Sequence, residues 1–205
     1  TCSGRKFRLG LSTGTSPVSL FNSLRRKHEE GKVSFSNVEI YSIDEYYPYG
    51  KGDPQSRNSI LHNYLLNYVD IREENIHVPD GSVHHDEVSA YCEKFDREFR
   101  DLDILVMGMG EQGQLGFNEA GTSPKSRTRT VLLSYKSRKR QGRFFNGDFK
   151  HTPATAITVG IDTILSAKKI ILMAWGEDKA TAVKNVTECK PDSEWPASVL
   201  QGPPD

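Results

Sequence analysis

The sequence has no excess of charge of either sign. Its 205 residues include 27 Lys and Arg against 27 Asp and Glu, which gives a formal net charge of +0. Proteins that bind nucleic acid or an anionic membrane through their overall electrostatic field carry a basic excess. The composition therefore predicts neither partner, and each local cluster of charge has to be considered separately.

Long apolar runs and paired cysteines are also scarce. No apolar run approaches the roughly 18 residues that a membrane span needs, and no signal peptide is visible. The three cysteines, Cys2, Cys92 and Cys189, are odd in number and lack the spacing of metal ligands. These features predict a reduced cytoplasmic protein without a disulfide framework or a metal site.

Segments typical of strands and helices alternate along a chain whose length fits one domain. Short apolar runs predict strands at residues 7–11, 38–43, 104–107, 156–159 and 170–174. Helical apolar spacing and capping signals predict helices over 56–68 and 86–99, near 163–165, and from Ser16 and Lys179 onward. This order predicts an α/β fold: a single three-layer domain with a mainly parallel sheet and helices on both faces.

A glycine-rich loop, residues 108–119, follows the apolar run 104–107. Ligands of open α/β sheets bind at the carboxyl ends of strands, so this loop is the first place to expect a functional site. Its first three glycines have the spacing of a dinucleotide-binding turn, but Gly121 and Pro124 break the helix that such a turn requires. Residues 120–147 also contain no Asp or Glu to bind the ribose. The sequence therefore argues against a nicotinamide cofactor.

Three further segments have two readings each. Residues 12–16 offer hydroxyl and N–H groups at a helix start, which suits either a bound phosphate or an ordinary capped turn. Asp44 is expected at the end of the second strand, before a turn at 46–48, where it is either a catalytic carboxylate or, more commonly, a capping residue. The segment 125–143 has eight Lys or Arg and no acid. It fits an irregular solvated flap better than a nucleic-acid surface.

Together these segments resemble the glucosamine-6-phosphate deaminase branch of the sugar-phosphate isomerase and lactonase superfamily. The glycine-rich loop of that family usually reads Gly-x-Gly-x-Asp-Gly-His-x-Ala-Phe-Asn-Glu-Pro. The chain keeps the motif's glycines, Phe117, Asn118 and Glu119. It departs from the motif at Gln112, Gln114 and Ala120, where the family has Asp, His and Pro. The resemblance covers residues 1–205 as one Rossmann-like domain, and implies that further N- and C-terminal family elements lie outside this chain.

The resemblance implies a cofactor-free enzyme that converts glucosamine 6-phosphate to fructose 6-phosphate and ammonia, or acts on the galactosamine equivalent. Asp44, in the family's Asp-Glu-Tyr element, would shuttle a proton between the first two sugar carbons, and Glu119 would polarise or orient the substrate. The resemblance further implies a set of phosphate- and substrate-binding residues: Thr13, Gly14, Thr15, Ser16, Gly108, Gly110, Arg143 and Lys179.

Gln112 and Gln114 stand at catalytic positions where the family opens the sugar ring. An amide cannot accept and return a proton near neutral pH, so ring opening cannot run through these two side chains. The main alternative is a catalytically silent protein that binds and senses a sugar phosphate. A 6-phosphogluconolactone hydrolase has less support, since that branch lacks the Phe-Asn-Glu element. The sequence leaves open whether the chain forms a homo-oligomer.

Overall fold

Strands and helices alternate along residues 4–202, the part of the chain that the computed structural model describes. The strands are β1 (Phe7–Leu11), β2 (Val38–Ser42), β3 (Asp44–Tyr47), β4 (Ile76–His77), β5 (Ile104–Gly108), β6 (Arg129–Leu132), β7 (Thr155–Thr158) and β8 (Ile170–Met173). The α-helices are α1 (Val18–Glu29), α2 (Arg57–Tyr64), α3 (Val88–Phe99), α4 (Tyr135–Gln141), α5 (Ile161–Leu165) and α6 (Ala180–Thr187). Short 3-10 helices cover Leu66–Tyr68, Glu73–Asn75, Gly142–Phe144, Phe149–His151, Glu177–Lys179 and Pro196–Gln201.

Five parallel strands form the main sheet, in the order β4-β2-β1-β5-β8. Successive side chains of a strand point to opposite faces. Leu105 and Met107 of β5 pack in one core with α3, α5 and α6, whereas Val106 packs in a second core with α1 and α2. Helices therefore cover both faces, which confirms the predicted three-layer α/β domain. Within the described range, no helix is long and apolar enough to cross a membrane.

A second, antiparallel sheet has the order β3-β7-β6 and was not predicted. Strand β2 ends at Ser42, and Asp44 opens β3, where it pairs with Thr158 of β7. The prediction that Asp44 follows the second strand directly was therefore inexact, because the chain passes there from one sheet into another.

The predicted turn at residues 46–48 was wrong for its first two members. Tyr46 and Tyr47 belong to β3, and Pro48 follows its last residue. Aromatic residues favour a half-buried strand, and Tyr46 packs in a third core with Phe117 and Phe145. This core fills the space between the second sheet and the glycine-rich loop.

The basic segment 125–143 is not an irregular flap, contrary to prediction. It contains β6 and α4, and the Ser137 N–H donates a hydrogen bond of 3.2 Å to Oγ of the helix N-cap, Ser134. Lys and Arg have good helix propensity, so a run of them after a capping serine can form a helix.

Helix α1 begins later than predicted. It starts at Val18 after Pro17, and no side chain caps its first turn, so Ser16 is not its N-cap. The Ser16 side chain instead lies against Gly108, where an added Cβ would be 2.9 Å from Ser16 Oγ. The uncapped first turn leaves backbone N–H groups open to a ligand.

A buried carboxylate, Asp96 on α3, joins three parts of the fold. It accepts hydrogen bonds from Arg127 Nε at 2.6 Å, from Thr128 N at 2.7 Å, and from Thr163 Oγ1 on α5. Burial acts to raise the pKa of Asp96, but these hydrogen bonds outweigh it and hold the pKa at about 2. Asp96 therefore stabilises the segment that leads into β6.

Candidate active site

A cavity of about 380 Å³ lies at the carboxyl ends of β1, β5 and β8, beside the start of β3. Its walls come from the loop after β1, the glycine-rich loop after β5, the segment after β8, and α4. This is the edge of a parallel sheet at which ligands are expected to bind. Its volume is within the usual range for small-molecule sites.

Most of the predicted site residues meet in this cavity. Those that line it are Thr13, Gly14, Thr15, Ser16, Asp44, Gly108, Gly110, Gln114, Arg143 and Lys179. Gln112 and Glu119 do not line it. Glu119 is half-buried and accepts a hydrogen bond of 3.4 Å from the N–H of Ser134, at the start of α4. It therefore connects the glycine-rich loop to α4.

Part of the cavity wall carries positive charge and an unpaired hydroxyl. The Lys179 side chain is 15% exposed, with Nζ 3.3 Å from Asp178 Oδ2, and Arg143 is exposed with its guanidinium over the Phe144 ring. The buried Thr13 Oγ1 has no hydrogen-bond partner among the described residues. A hydroxyl, two cations and an uncapped helix start are suited to a phosphate group.

Asp44 also lines the cavity, as a buried carboxyl whose Oδ1 accepts no hydrogen bond in the described structure. Arg57 Nε lies 3.6 Å from this oxygen. Burial raises the pKa of Asp44, and the positive charge of Arg57 opposes that rise. A carboxyl with a raised pKa, open to a cavity, is suited to accept and return a proton.

Arg57 is the functional candidate that the sequence did not reveal. It is the first residue of α2, and its side chain is almost completely buried, although an Arg in the first turn of a helix is usually solvated. Glu45 fixes this turn, because its carboxylate accepts hydrogen bonds of 2.8 and 3.0 Å from the N–H groups of Arg57 and Asn58. Burial raises the pKa of Glu45 to about 7, against the effect of its N–H donors.

The Gln114 side chain packs tightly against the backbone of its own glycine-rich loop. Its Oε1 accepts a hydrogen bond of 3.1 Å from the N–H of Gln112. A Cβ added at Gly110 would lie 1.9 Å from the same oxygen, so the glycine makes room for the Gln114 side chain. At the loop's other wall, Arg140 Nη2 donates a hydrogen bond of 2.9 Å to Glu111 Oε2, which ties the loop to α4.

Several residues that line the cavity were not named as site residues from the sequence. They are Ile43, Arg57, Met109, Glu111, Gly116, Phe117, Ser137, Arg140, Gln141, Trp175 and Asp178. Arg140 belongs to the basic segment and Glu111 to the glycine-rich loop, so both were near a recognised signal. The sequence offered no comparable signal for Arg57, whose burial depends on how α2 packs against β3 and α4.

The fold and the cavity define an α/β protein with two cationic side chains and a buried carboxyl in a cavity at the carboxyl edge of its parallel sheet. The chain belongs to the family described as glucosamine-6-phosphate isomerases/6-phosphogluconolactonase, whose sequence model matches residues 2–204.

Named relatives and solved structures agree with this family. The chain is 36% identical over 197 residues to glucosamine-6-phosphate deaminase 2 of Bacillus subtilis, covering 94% of this chain and 78% of the relative. It is 39% identical over 201 residues to a glucosamine-6-phosphate deaminase-like protein of Bacteroides thetaiotaomicron, covering 97% of this chain but only 30% of that longer protein.

Among solved structures, a monomeric glucosamine-6-phosphate deaminase superposes with a TM-score of 0.91 at 34% identity, covering 96% of this chain and 81% of that one. A 6-phosphogluconolactonase of Thermotoga maritima superposes with a TM-score of 0.69 at 18% identity, covering 90% and 77%, which shows a shared fold.

Proposed function

We propose that the chain is an amino-sugar phosphate deaminase, which converts glucosamine 6-phosphate, or the galactosamine equivalent, to a ketose 6-phosphate and ammonia. The observation that carries the proposal is the presence of the buried Asp44 carboxyl in the same cavity as Arg143, Lys179 and residues 13–16. Its relatives by sequence bear the name of this activity. The free thiols of Cys92 and Cys189 support a reducing, cytosolic setting.

The phosphate group binds where the cavity wall carries positive charge. Lys179 supplies a half-buried point charge, and Arg143 supplies a forked guanidinium that reaches it from the exposed side. The hydroxyl of Thr13 and the backbone after it complete the contacts at the start of α1. With the phosphate anchored there, the first carbons of the sugar extend towards Asp44.

Asp44 carries out the proton transfer on an open-chain amino aldehyde. Asp44 takes the C2 proton, the C2–H electron pair forms the C1=C2 bond, and the carbonyl π pair moves to O1. A proton passes from the ammonium nitrogen to O1, and Asp44 returns its proton to C1, which leaves an iminium ion at C2. Water hydrolyses the iminium ion to a ketone and ammonium. One carboxyl within hydrogen-bond reach of both carbons suffices for this sequence.

Ring opening is the step for which the two glutamines supply no proton-transferring side chain. Gln114 lines the cavity but cannot exchange a proton near neutral pH, and Gln112 lies outside the lining. We therefore expect the substrate to bind in its open form or to open slowly by itself. Glu119 acts through its hydrogen bond to Ser134, by holding α4 in place.

A turnover screen with hexosamine 6-phosphates, coupled to ammonia detection, tests the proposal. Release of ammonia and formation of a ketose phosphate by the wild type, both abolished in Asp44→Asn, would support it. The amide at position 114 also favours a second function, a sensor that binds a sugar phosphate without reaction. Tight binding of glucosamine 6-phosphate without any ammonia release would replace the deaminase with the sensor.

A further inference from the structure

Arg57 has charged donors that the protein leaves unused. Its Nε and Nη1 atoms have no hydrogen-bond partner among the described residues, although the side chain is only 4% exposed. An unpaired donor buried away from water is costly, and a charged one more so. Since Arg57 also lines the cavity beside Asp44, a bound molecule is the natural partner for these donors.

The guanidinium of Arg57 is held in a fixed orientation. Its Nη2 atom donates hydrogen bonds to Tyr46 Oη at 3.2 Å and to Gln141 Oε1 at 3.3 Å. Its plane lies over the Tyr46 ring at 4.6 Å, with the rings of Phe117 and Phe144 nearby. Nη2 is therefore anchored, while Nε lies 3.6 Å from Asp44 Oδ1 and Nη1 has no hydrogen-bond partner among the described residues.

Any group that accepts a hydrogen bond from the unpaired Nε and Nη1 atoms of Arg57 must tolerate a neighbouring carboxylate. Asp44 Oδ1 is 3.6 Å from Arg57 Nε, so a phosphate dianion placed there would be repelled by Asp44. The phosphate has other partners among the residues that line the cavity, Arg143 and Lys179. A single oxygen that becomes negative only as Asp44 takes up a proton is a better partner for these unpaired donors than a phosphate dianion.

We propose that Arg57 is a catalytic residue that binds the carbonyl oxygen O1 of the substrate and stabilises the charge that forms there when Asp44 removes the C2 proton. This proposal rests on the proposed deaminase function. Donors fixed before the reaction, in a site from which water is excluded, stabilise such a charge most effectively. Arg57 thus supplies an electrophile at the step that follows ring opening. Gln112 and Gln114 bear on ring opening and do not affect this later step.

The test compares Arg57→Met and Arg57→Lys with the wild type on glucosamine 6-phosphate. Loss of one fixed donor to a developing oxyanion typically lowers kcat by about 10²–10³-fold. We expect such a loss in both variants, with KM changed by less than about 3-fold because the phosphate contacts remain. Arg138→Met is the matched control, since Arg138 bonds to Thr152 O and does not line the cavity. We expect the control to keep full activity.

Two further readouts separate catalysis from support of the fold. Substrate deuterated at C2 should react more slowly than normal substrate in the Arg57 variants, because proton removal becomes rate-limiting. Added guanidinium should restore part of kcat in Arg57→Ala, since it refills the vacated donor position. The isotope effect identifies the step that is slowed, and the rescue by guanidinium is the result that a purely structural role of Arg57 would not give.

The outcomes distinguish this proposal from the function on which it rests. If the wild type releases ammonia but a folded Arg57→Lys keeps its kcat, or loses only apparent affinity, the role of Arg57 is overturned and the deaminase stands. Arg57→Lys retains a cation beside Asp44. It therefore tests the role of Arg57 even if Arg57→Met does not fold. If the wild type neither releases ammonia nor forms ketose, both proposals fail together.

Discussion

Replacement of Arg143 by Ala should weaken phosphate binding without weakening the fold. Arg143 is exposed, and its guanidinium lies over the Phe144 ring, 5.0 Å from the ring centre. Surface substitutions of this kind usually change stability by less than about 0.5 kcal/mol. The unfolding midpoint of Arg143→Ala should therefore match that of the wild type.

The expected loss of affinity follows from the exposure of the same side chain. Hydrogen bonds to a charged group are worth about 1.5–3 kcal/mol, and solvent places an exposed guanidinium near the lower end. We therefore expect at least a tenfold increase in Kd for glucosamine 6-phosphate, equivalent to about 1.4 kcal/mol. The half-buried Lys179 retains part of the site, so binding should weaken rather than disappear.

Calorimetric titration of the Asp44→Asn background, which cannot consume the ligand, gives the affinity directly. Lys139→Ala is the matched control, because Lys139 is an exposed cation on α4 that does not line the cavity. Unphosphorylated glucosamine should bind equally weakly to both variants. An unchanged Kd in Arg143→Ala, or an equal loss in Lys139→Ala, would remove Arg143 from the phosphate site.

Three further predictions concern the base, the glutamines and the fold. In steady-state kinetics, Asp44→Asn should lower kcat far more than it raises KM, because it removes the base but nearly keeps its shape; a loss confined to KM would make Asp44 a binding residue. Gln112→Asp combined with Gln114→His should raise the rate on closed-ring glucosamine 6-phosphate by up to the roughly 10²–10⁴-fold that acid–base catalysis supplies; an unchanged rate would show that these positions do not limit ring opening. The pKa of Asp96 is about 2 in the folded protein, against an unperturbed value of 3.8. The ionised Asp96 therefore stabilises the fold by about 2 kcal/mol above pH 4, and this stabilisation is lost as the pH falls towards 2. Urea unfolding should show that the difference in the free energy of unfolding between the wild type and Asp96→Asn becomes smaller from pH 4 to pH 2. A constant difference would contradict the lowered pKa of Asp96.

The main sheet was predictable because its signals are local. Apolar runs of strand length and helical spacing of apolar residues give four of its five strands, β1, β2, β5 and β8, with small shifts at their ends, and the same signal gives β7 of the second sheet. The second sheet was not predictable in the same way. Its strand β3 contains Asp44 and Glu45, which are poor strand formers, and it exists because it pairs with β7 and buries Tyr46. Tertiary packing outweighs local propensity at this point.

The residues of the candidate site also differ in whether the sequence could predict them. Residues 13–16 and the loop after β5 were predictable, since each follows an apolar strand directly. Arg57 was not, because its sequence context is that of an ordinary helix start after a capping serine. Only the packing of α2 against Tyr46 and Gln141 turns this arginine inward. A charged residue buried by distant contacts has no periodic pattern that would reveal it.

The charged groups of the cavity depend on parts of the chain that are synthesised at different times. Strands β1 and β5, which pair from Leu11 to Val106, both precede Thr158 of β7, the residue that pairs with Asp44. Lys179, which lines the same cavity as Asp44, follows Thr158 in the sequence. A nascent chain that ends before β7 therefore lacks both the partner strand of Asp44 and the Lys179 cation. Since contacts distant in sequence form slowly, we expect the cavity to be completed late, after the rest of the main sheet has a template in β1 and β5.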